Sequence, residues 1–222
     1  MKLTNEEIGR NFNLLGYFYN PLKRVFLWNR PEKVITKSIA LINPDSNVLV
    51  VGGGADNTIQ QLLKQEKAKA ITHLDISKVL SEKARKRIKN VSGCEQVNFE
   101  IKPYLEMDAK PVFDVVILPF YLDLFDAIDL EKNINHTAKN LKPNGQVYVI
   151  DFSSSQNQTL WMRLKVRILY LLFYPVIGNR NTRIPDYDVF FKECGFKKEF
   201  EKCFYNGFYS IKAFRKSISE QP

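Results

Sequence analysis

Short apolar runs rich in β-branched residues alternate along the chain with segments whose apolar residues recur at helical spacing. The apolar runs are NVLVVG (47–52), AITHLDI (70–76), QVNFEI (96–101), FDVVILPF (113–120) and QVYVID (146–151). The helical patterns are DNTIQQLLKQEKA, SKVLSEKARKRIKN and DLEKNINHTAKNLK. Their periodicity predicts amphipathic helices between buried strands. Alternation of the two predicts an α/β fold of the Rossmann-like, doubly wound kind, with a mostly parallel sheet covered on both faces.

The pattern changes between residues 195 and 216. Two apolar runs flank Asn206-Gly207, a dipeptide typical of β-hairpins. This predicts an antiparallel pair at one edge of the sheet, which brings the expected total to seven strands. At the other end of the chain, Thr4 and Glu7 have the spacing of a capping box, so a helix is expected to start there.

Composition limits the classes of partner and the compartment. The net charge is +9, but Lys and Arg are spread along the chain, which is typical of solvated helix faces. The three cysteines show no CxxC spacing, so no metal site is predicted and a reducing, cytoplasmic location is expected. The run ILYLLFYPVI (168–177) is about half the length that spans a bilayer and contains Pro175.

The stretch VLVVGGGADNTIQQLL (48–63) ends a buried strand on three glycines before a helix. Glycines at 52–54 allow a sharp turn and let a ligand approach the backbone without meeting a Cβ. Asp75 follows the next strand, 23 residues after Gly52. A carboxylate at that position can accept hydrogen bonds from both hydroxyls of a ribose. The combination predicts a nucleotide-type site.

The residues after the glycines distinguish between two such ligands. A dinucleotide site requires G-x-G-x-x-G, but Asn57 occupies the third glycine position and Asp56 precedes it. Asn57 would crowd a pyrophosphate and Asp56 would repel it. S-adenosylmethionine (SAM) has a ribose, a sulfonium and an ammonium group but no phosphate, so it fits better. A nicotinamide-dependent oxidoreductase and a structural turn without ligand remain as alternatives.

Further segments resemble class I SAM-dependent methyltransferases, and most closely the ubiquinone/menaquinone biosynthesis C-methyltransferase family. The resemblance covers nearly the whole chain: Phe12 with Tyr19-Asn20, VFLWNR (25–30), VLVVGGGAD, ITHLDIS, FDVVILPFYLDLF (113–125), LKPNGQVYVIDFS (141–153), YPVIG (174–178) and 194–216. It implies that SAM is the cofactor. The positions it implies for contact with SAM are Gly52, Gly53, Gly54, Asp56, Asp75, Ile76, Tyr104 and Pro119.

The chain departs from the family pattern at several positions. Val50 replaces an acid before the glycines, Asp56 replaces the last glycine of the loop, Pro103-Tyr104 replaces an acid-Ala pair, and Asn144 replaces a glycine. The segment NRNTRIPD (179–186) is shorter than its family counterpart. Because of these departures, a degenerate SAM-binding protein without turnover remains an alternative.

Methyl transfer requires positioning of the acceptor and, for oxygen or phenol-derived carbon acceptors, removal of a proton. The candidate catalytic residues are Tyr19 in the N-terminal segment, Tyr121 and Asp123 after the fourth strand, and Asp151 at the end of the fifth. Asp151 has an alternative role as a helix cap and Tyr121 as a packing aromatic. His73 is expected to lie in the core, and His136 on the helix after the fourth strand. LPFY (118–121) lacks the polar first residue of nucleic-acid amino methyltransferases, so no nucleic-acid partner is predicted.

The segment LWMRLKVRILYLLFYPVIG (160–178) combines aromatics with three cations. It is interpreted as the wall of a pocket for a hydrophobic small-molecule acceptor, as a helix that contacts a membrane surface, or as a core helix with solvated cations. The expected organisation is a single domain, 1–222. Its parts are a helical cover (1–42), a SAM-binding core (43–155), an acceptor-side helical insertion (156–186) and a C-terminal helix and hairpin (187–216).

Overall fold

The computed structural model describes residues 3–27, 30–54, 56–153, 159–178 and 184–217, with only the backbone described for 17–27, 30, 172 and 177. The strands are β1 (Ser46–Val51), β2 (Ala68–Asp75), β3 (Val97–Ile101), β4 (Phe113–Pro119), β5 (Leu141–Phe152), β6 (Phe196–Phe204) and β7 (Tyr209–Lys216). They form one sheet in the order β3-β2-β1-β4-β5-β7-β6. Strands β1 to β5 pair in parallel, and β7 is antiparallel to both β5 and β6. The predicted fold class is therefore confirmed.

The helices are α1 (Asn5–Leu27), α2 (Arg30–Ile39), α3 (Thr58–Lys64), α4 (Lys78–Ile88), α5 (Ala127–Asn140), α6 (Leu160–Ile177) and α7 (Tyr187–Glu193). The predicted capping box precedes α1: the Glu7 N–H donates to Thr4 Oγ1 at 3.3 Å, and the Thr4 N–H donates to Glu7 Oε2 at 2.8 Å. The family-like segment 25–30 spans the end of α1, residues 28 and 29 outside the described residues, and the start of α2. Among the described helices, none is both long enough and apolar enough to cross a membrane.

The strands are apolar because both faces of the sheet are covered. Val48 and Val50 of β1 point to a core shared with α2, α3, α4 and α6. Leu49 and Val51 point to a second core shared with α5 and α7. Successive side chains of a strand point to opposite faces, so a strand between two layers needs apolar residues at nearly every position.

Strand β5 is longer than its predicted span of 146–151. Leu141 pairs with Phe113 and Gln146 with Val115, so four residues of β5 bulge opposite one residue of β4. Asn144 within this bulge has a φ of 62°. Pro143 explains the early end of α5, since a proline disfavours helical backbone at the residue before it. The helical pattern predicted through Lys142 therefore stops at Asn140.

The order of the strands positions the site. The chain runs from β1 outward to β3 and then returns to β4 on the other side of β1. The carboxyl ends of these strands lie side by side, with Val51 opposite Leu74 and Pro119 opposite Ile150. In doubly wound sheets, ligands bind outside the carboxyl ends of the strands at this reversal.

Candidate active site

A cavity of about 600 Å³ lies at the carboxyl ends of β1, β2, β4 and β5 and is covered by parts of α1 and α6. This volume is within the range of small-molecule sites. Two regions of its wall are distinct. The glycine end consists of Gly52, Gly53, Gly54, Asp56 and Asp75. The aromatic end consists of Phe120, Asp123, Phe152, Leu169, Tyr170 and Phe173.

The three glycines at the end of β1 all have left-handed backbone, with φ values of 71°, 75° and 43°. Such a run ends the strand and turns the chain sharply. A Cβ at Gly53 would lie 2.7 Å from Pro119 Cγ and 2.8 Å from Asp56 Oδ2. The loop therefore needs glycine for its backbone conformation and for its packing against β4.

Asp75 lies at the wall of the glycine end and is only 6% exposed. Its Oδ1 accepts a hydrogen bond from the Ser77 N–H at 2.8 Å. Burial raises the pKa of Asp75 to about 7, and the nearby Asp56 charge adds to the rise, although N–H groups of Ser77 and Gly54 oppose it. A ligand that offers hydroxyl donors would favour the ionised carboxylate, as a ribose does.

Asp56 and Asn57 point in different directions. Asp56 lies on the cavity wall, and its Oδ1 accepts from the Thr58 N–H at 2.7 Å at the start of α3. The Asn57 amide donates toward the Glu32 carbonyl at 3.3 Å and Thr36 Oγ1 at 3.4 Å, so it contacts α2. The acid of the loop therefore faces the cavity.

The other predicted cofactor contacts, Ile76, Tyr104 and Pro119, also lie on the cavity wall. The Tyr104 hydroxyl donates to Thr137 Oγ1 on α5 at 3.1 Å, which fixes the ring beside the glycine end. Ile8 and Phe12 of α1 complete this wall. They were not predicted as site residues, although their i, i+4 spacing was a usable signal for one inward face. The side chain of Tyr19 lies outside the described residues, so its catalytic role stays a prediction.

Asp123 and Asp151 form a buried pair at the aromatic end. Asp123 lies on the cavity wall at 4% exposure, and Asp151 lies behind it at 0%. Asp151 Oδ2 accepts from the Tyr187 hydroxyl at 2.7 Å, and its Oδ1 accepts from the Phe152 N–H at 2.7 Å. Burial raises the pKa of Asp151 to about 7. Burial and then repulsion from Asp151 raise the pKa of Asp123 well above its usual range.

Two tyrosines, Tyr121 and Tyr170, also line the cavity. The Tyr170 hydroxyl is buried without a hydrogen-bond partner among the described residues. Burial and then the two carboxyls raise its pKa. The Tyr121 hydroxyl donates to Asn133 Oδ1 at 2.8 Å, and burial raises its pKa well above the usual value. This geometry favours the packing interpretation of Tyr121 over proton transfer.

The two histidines lie where the sequence placed them. His73 is 1% exposed within β2, and burial lowers its pKa to about 4. His136 lies on α5, and its ring meets the Tyr104 ring edge-on at 4.7 Å. Neither histidine lies on the cavity wall.

Sequence reasoning missed Tyr170 and Tyr187. Tyr170 belonged to a segment already noted for its aromatics, so its helical spacing was a weak signal. No local pattern links Tyr187 to Asp151, since the two residues are 36 positions apart.

Solved structures of methyltransferases share this fold. One is a putative methyltransferase from Haloferax volcanii, solved in complex with the Trm112 methyltransferase activator. It has a TM-score of 0.73 and 12% identity, and the match covers 97% of this chain and 100% of that one. Another is the 1,6-didemethyltoxoflavin-N1-methyltransferase of Burkholderia thailandensis, with bound 1,6-didemethyltoxoflavin and S-adenosylhomocysteine. It has a TM-score of 0.67 and 14% identity, with 97% of this chain and 91% of that one covered.

A putative methyltransferase from Bacillus halodurans matches at a TM-score of 0.65 and 15% identity, over 85% of this chain and 99% of that one. At the level of sequence, no curated protein matches the chain. The model of the ubiE/COQ5 methyltransferase family matches residues 20–189, which are 170 of the 222 residues. The chain therefore belongs to the ubiE/COQ5 methyltransferase family and is a SAM-dependent methyltransferase.

Proposed function

We propose that the protein methylates a hydrophobic small molecule, with a quinone-like or other aromatic acceptor favoured and a lipid headgroup next. The observation that carries this proposal is the continuity of the cavity. The glycine end and the aromatic end belong to one space of about 600 Å³. A donor at the first end and an acceptor at the second can therefore meet without passing through solvent. Phe120, Phe152 and Phe173 make the acceptor part apolar.

The residues of the glycine end fit SAM. We assign Asp75 to the ribose hydroxyls, Gly52–Gly54 to the methionine part, and Tyr104 with Ile76 to the adenine. Asp56 supplies a buried carboxylate for a cationic group. When bound, SAM supplies a methyl group on a positively charged sulfur. The enzyme's contribution to that transfer is to align the acceptor with the methyl group and to exclude water.

We assign proton removal to the Asp123–Asp151 pair. Two buried carboxyls that repel each other cannot both ionise readily, so the pair holds one proton near neutral pH. Asp123 faces the cavity, and the Tyr187 hydroxyl stabilises negative charge on Asp151. The higher pKa of Asp123 leaves the shared proton there and the negative charge on Asp151. An acceptor O–H or ring C–H gives its proton to the Asp123 carboxyl as Asp123 passes its own proton to Asp151, so the pair takes up one proton in total. The acceptor atom forms the new bond to the methyl carbon, and the sulfur keeps the electrons of the broken bond. A base whose pKa is near 7 suits this step at physiological pH.

Isothermal titration with SAM, S-adenosylhomocysteine and NAD tests the cofactor assignment. We expect micromolar binding of the first two. Asp75→Asn should weaken it about 100-fold, since hydrogen bonds to a charged group contribute roughly 1.5–3 kcal/mol each. Asp108→Asn is the matched control, because the Asp108 side chain is 88% exposed. Binding of NAD alone would overturn the proposal, and binding of none of the three would identify a degenerate site.

Transfer of labelled methyl from SAM to hydroxylated aromatics that differ in apolar tail length tests the acceptor class. We expect turnover to rise with tail length. Asp123→Asn should reduce turnover 100-fold or more and leave SAM affinity within about twofold. Turnover that survives this substitution would remove the acid pair from the mechanism. Turnover restricted to small polar acceptors would remove the hydrophobic assignment.

A further inference from the structure

Helix α6 has two apolar faces that point in different directions. Its inner face is buried and includes Val166, Leu169 and Tyr170, of which the last two lie on the cavity wall. Its outer face is exposed to solvent. The exposed side chains are Leu160 (82%), Trp161 (74%), Leu164 (46%), Ile168 (37%) and Leu171 (72%).

These exposed residues form a continuous stripe. At 3.6 residues per turn, positions 160, 164, 168 and 171 fall within about 80° of the helix circumference, and 161 extends the same side. We call these five residues the α6 stripe. Soluble proteins rarely expose contiguous apolar patches without an interaction to cover them.

Positive charge borders the α6 stripe on both sides. Arg163 and Arg167 are exposed along one flank, and Lys165 is half-buried along the other. Residues 160–178 contain no Asp or Glu, and the whole chain carries a net charge of +9. An apolar stripe with a tryptophan near one end and flanking cations is the pattern of helices that lie in a membrane interface.

We propose that the α6 stripe rests on an anionic membrane surface, with the helix parallel to that surface. The stripe enters the boundary between headgroups and acyl chains, and the flanking cations contact lipid phosphates. A second copy of the chain fits less well. A two-fold contact would place the same patch on both molecules and bring their cations together. Charge complementarity therefore favours the membrane.

The two faces of α6 give this contact a consequence for the acceptor. The helix that touches the membrane also walls the aromatic end, so only its own diameter, about 10 Å, separates lipid from the acceptor space. An acceptor dissolved in the bilayer reaches the cavity beside α6 without crossing water. This delivery role rests on the proposed function, whereas membrane binding itself does not.

Co-sedimentation of the full chain with vesicles tests the proposal. We use phosphatidylcholine vesicles with and without phosphatidylglycerol, at low and at physiological salt. Binding is expected to require the anionic lipid and to weaken with salt. The Trp161→Ser, Leu171→Ser double variant should lose binding tenfold or more. The Arg163→Gln, Arg167→Gln variant should lose it about 30-fold, because each cation near an anionic surface contributes about fivefold.

Ile128→Ser is the matched control, because Ile128 is 66% exposed on α5, on the other side of the sheet. It should bind vesicles as the unchanged chain does. SAM titration of each variant verifies that it is folded. A variant that binds SAM normally but not vesicles has lost the membrane contact alone. No binding to anionic vesicles at low salt would overturn the proposal. A dimer by light scattering that the stripe variant converts to a monomer would assign the stripe to a second copy instead.

Discussion

The two ends of the cavity are built in different ways. At the glycine end, the key hydrogen bonds join residues two positions apart: Asp56 with Thr58 and Asp75 with Ser77. At the aromatic end, Asp151 meets Tyr187 from a helix 36 positions later. The glycine end, to which we assign the donor, is therefore built by local contacts, and the aromatic end, to which we assign the acceptor, depends on how distant elements pack. Variants at the two ends should therefore differ in whether they change SAM affinity or the stability of the packed elements.

The largest effect is expected at the glycine end, for Gly53→Ala. The left-handed φ of 75° and the contacts below 3 Å with Pro119 and Asp56 both oppose a Cβ. We expect the free energy of unfolding to fall by about 3–4 kcal/mol and SAM affinity to fall at least tenfold. Urea denaturation and titration measure the two effects.

Gly195→Ala is the control for this substitution. Gly195 has a φ of 80°, but a Cβ there would meet no atom within 4 Å. It should cost about 1–2 kcal/mol from backbone strain alone, with SAM binding unchanged. Equal destabilisation by the two variants would show that crowding in the loop has no role.

The next effect is at the aromatic end and depends on pH. Burial raises the pKa of Asp151 to about 7 in the folded state, whereas it is about 4 in an unfolded chain. Between these values the folded state holds a proton that the unfolded state releases, so stability falls as pH rises. Asp151→Asn removes this fall. Its stability relative to wild type should rise by roughly 2–4 kcal/mol between pH 4 and 8, as measured by urea denaturation.

Asp114→Asn should show the opposite trend. Burial opposes ionisation of Asp114, but hydrogen bonds from Lys142 and the Asn47 N–H outweigh it and lower the pKa. The folded state therefore favours the ionised form, and this stabilisation is present above the unfolded pKa. The variant should lose stability relative to wild type as pH rises through about 4. The same trend in both variants would contradict the role of burial at Asp151.

The smallest effect is expected for Tyr187→Phe. It removes one hydrogen bond to Asp151, and we expect a loss of about 1–2 kcal/mol at pH 8, where that carboxyl is ionised. The loss should shrink at pH 5. Tyr148→Phe is the control, since its hydroxyl donates to the neutral Leu41 carbonyl at 3.2 Å. Its cost should not change over this range. Both variants should keep SAM affinity. A loss of SAM affinity in Tyr187→Phe would show that the aromatic end is coupled to the glycine end.

The features that could be predicted from the sequence are those determined by residues close together in the chain. The five parallel strands, the hairpin and the run Gly52–Gly54 followed by Asp75 were all visible as periodicity or motif. The start of β5 was not, because a bulge around Asn144 adds residues to the strand. Tyr170 and Tyr187 lie near Asp151 only because α6 and α7 pack against the sheet. That packing depends on the whole sheet, so no local pattern could predict it.

The position of β7 has a consequence for biosynthesis. β7 pairs with β5 from Gln146 to Phe152, and the Ser153 N–H donates to the Phe208 carbonyl. Ribosomes make β1, β2 and β4 first, so the glycine end can form while residues 187–216 are still absent. Until those residues emerge, Asp151 has no tyrosine partner and one edge of β5 is open. The nascent protein would thus form its glycine end before its aromatic end, and chaperones would meet an intermediate with β5 exposed.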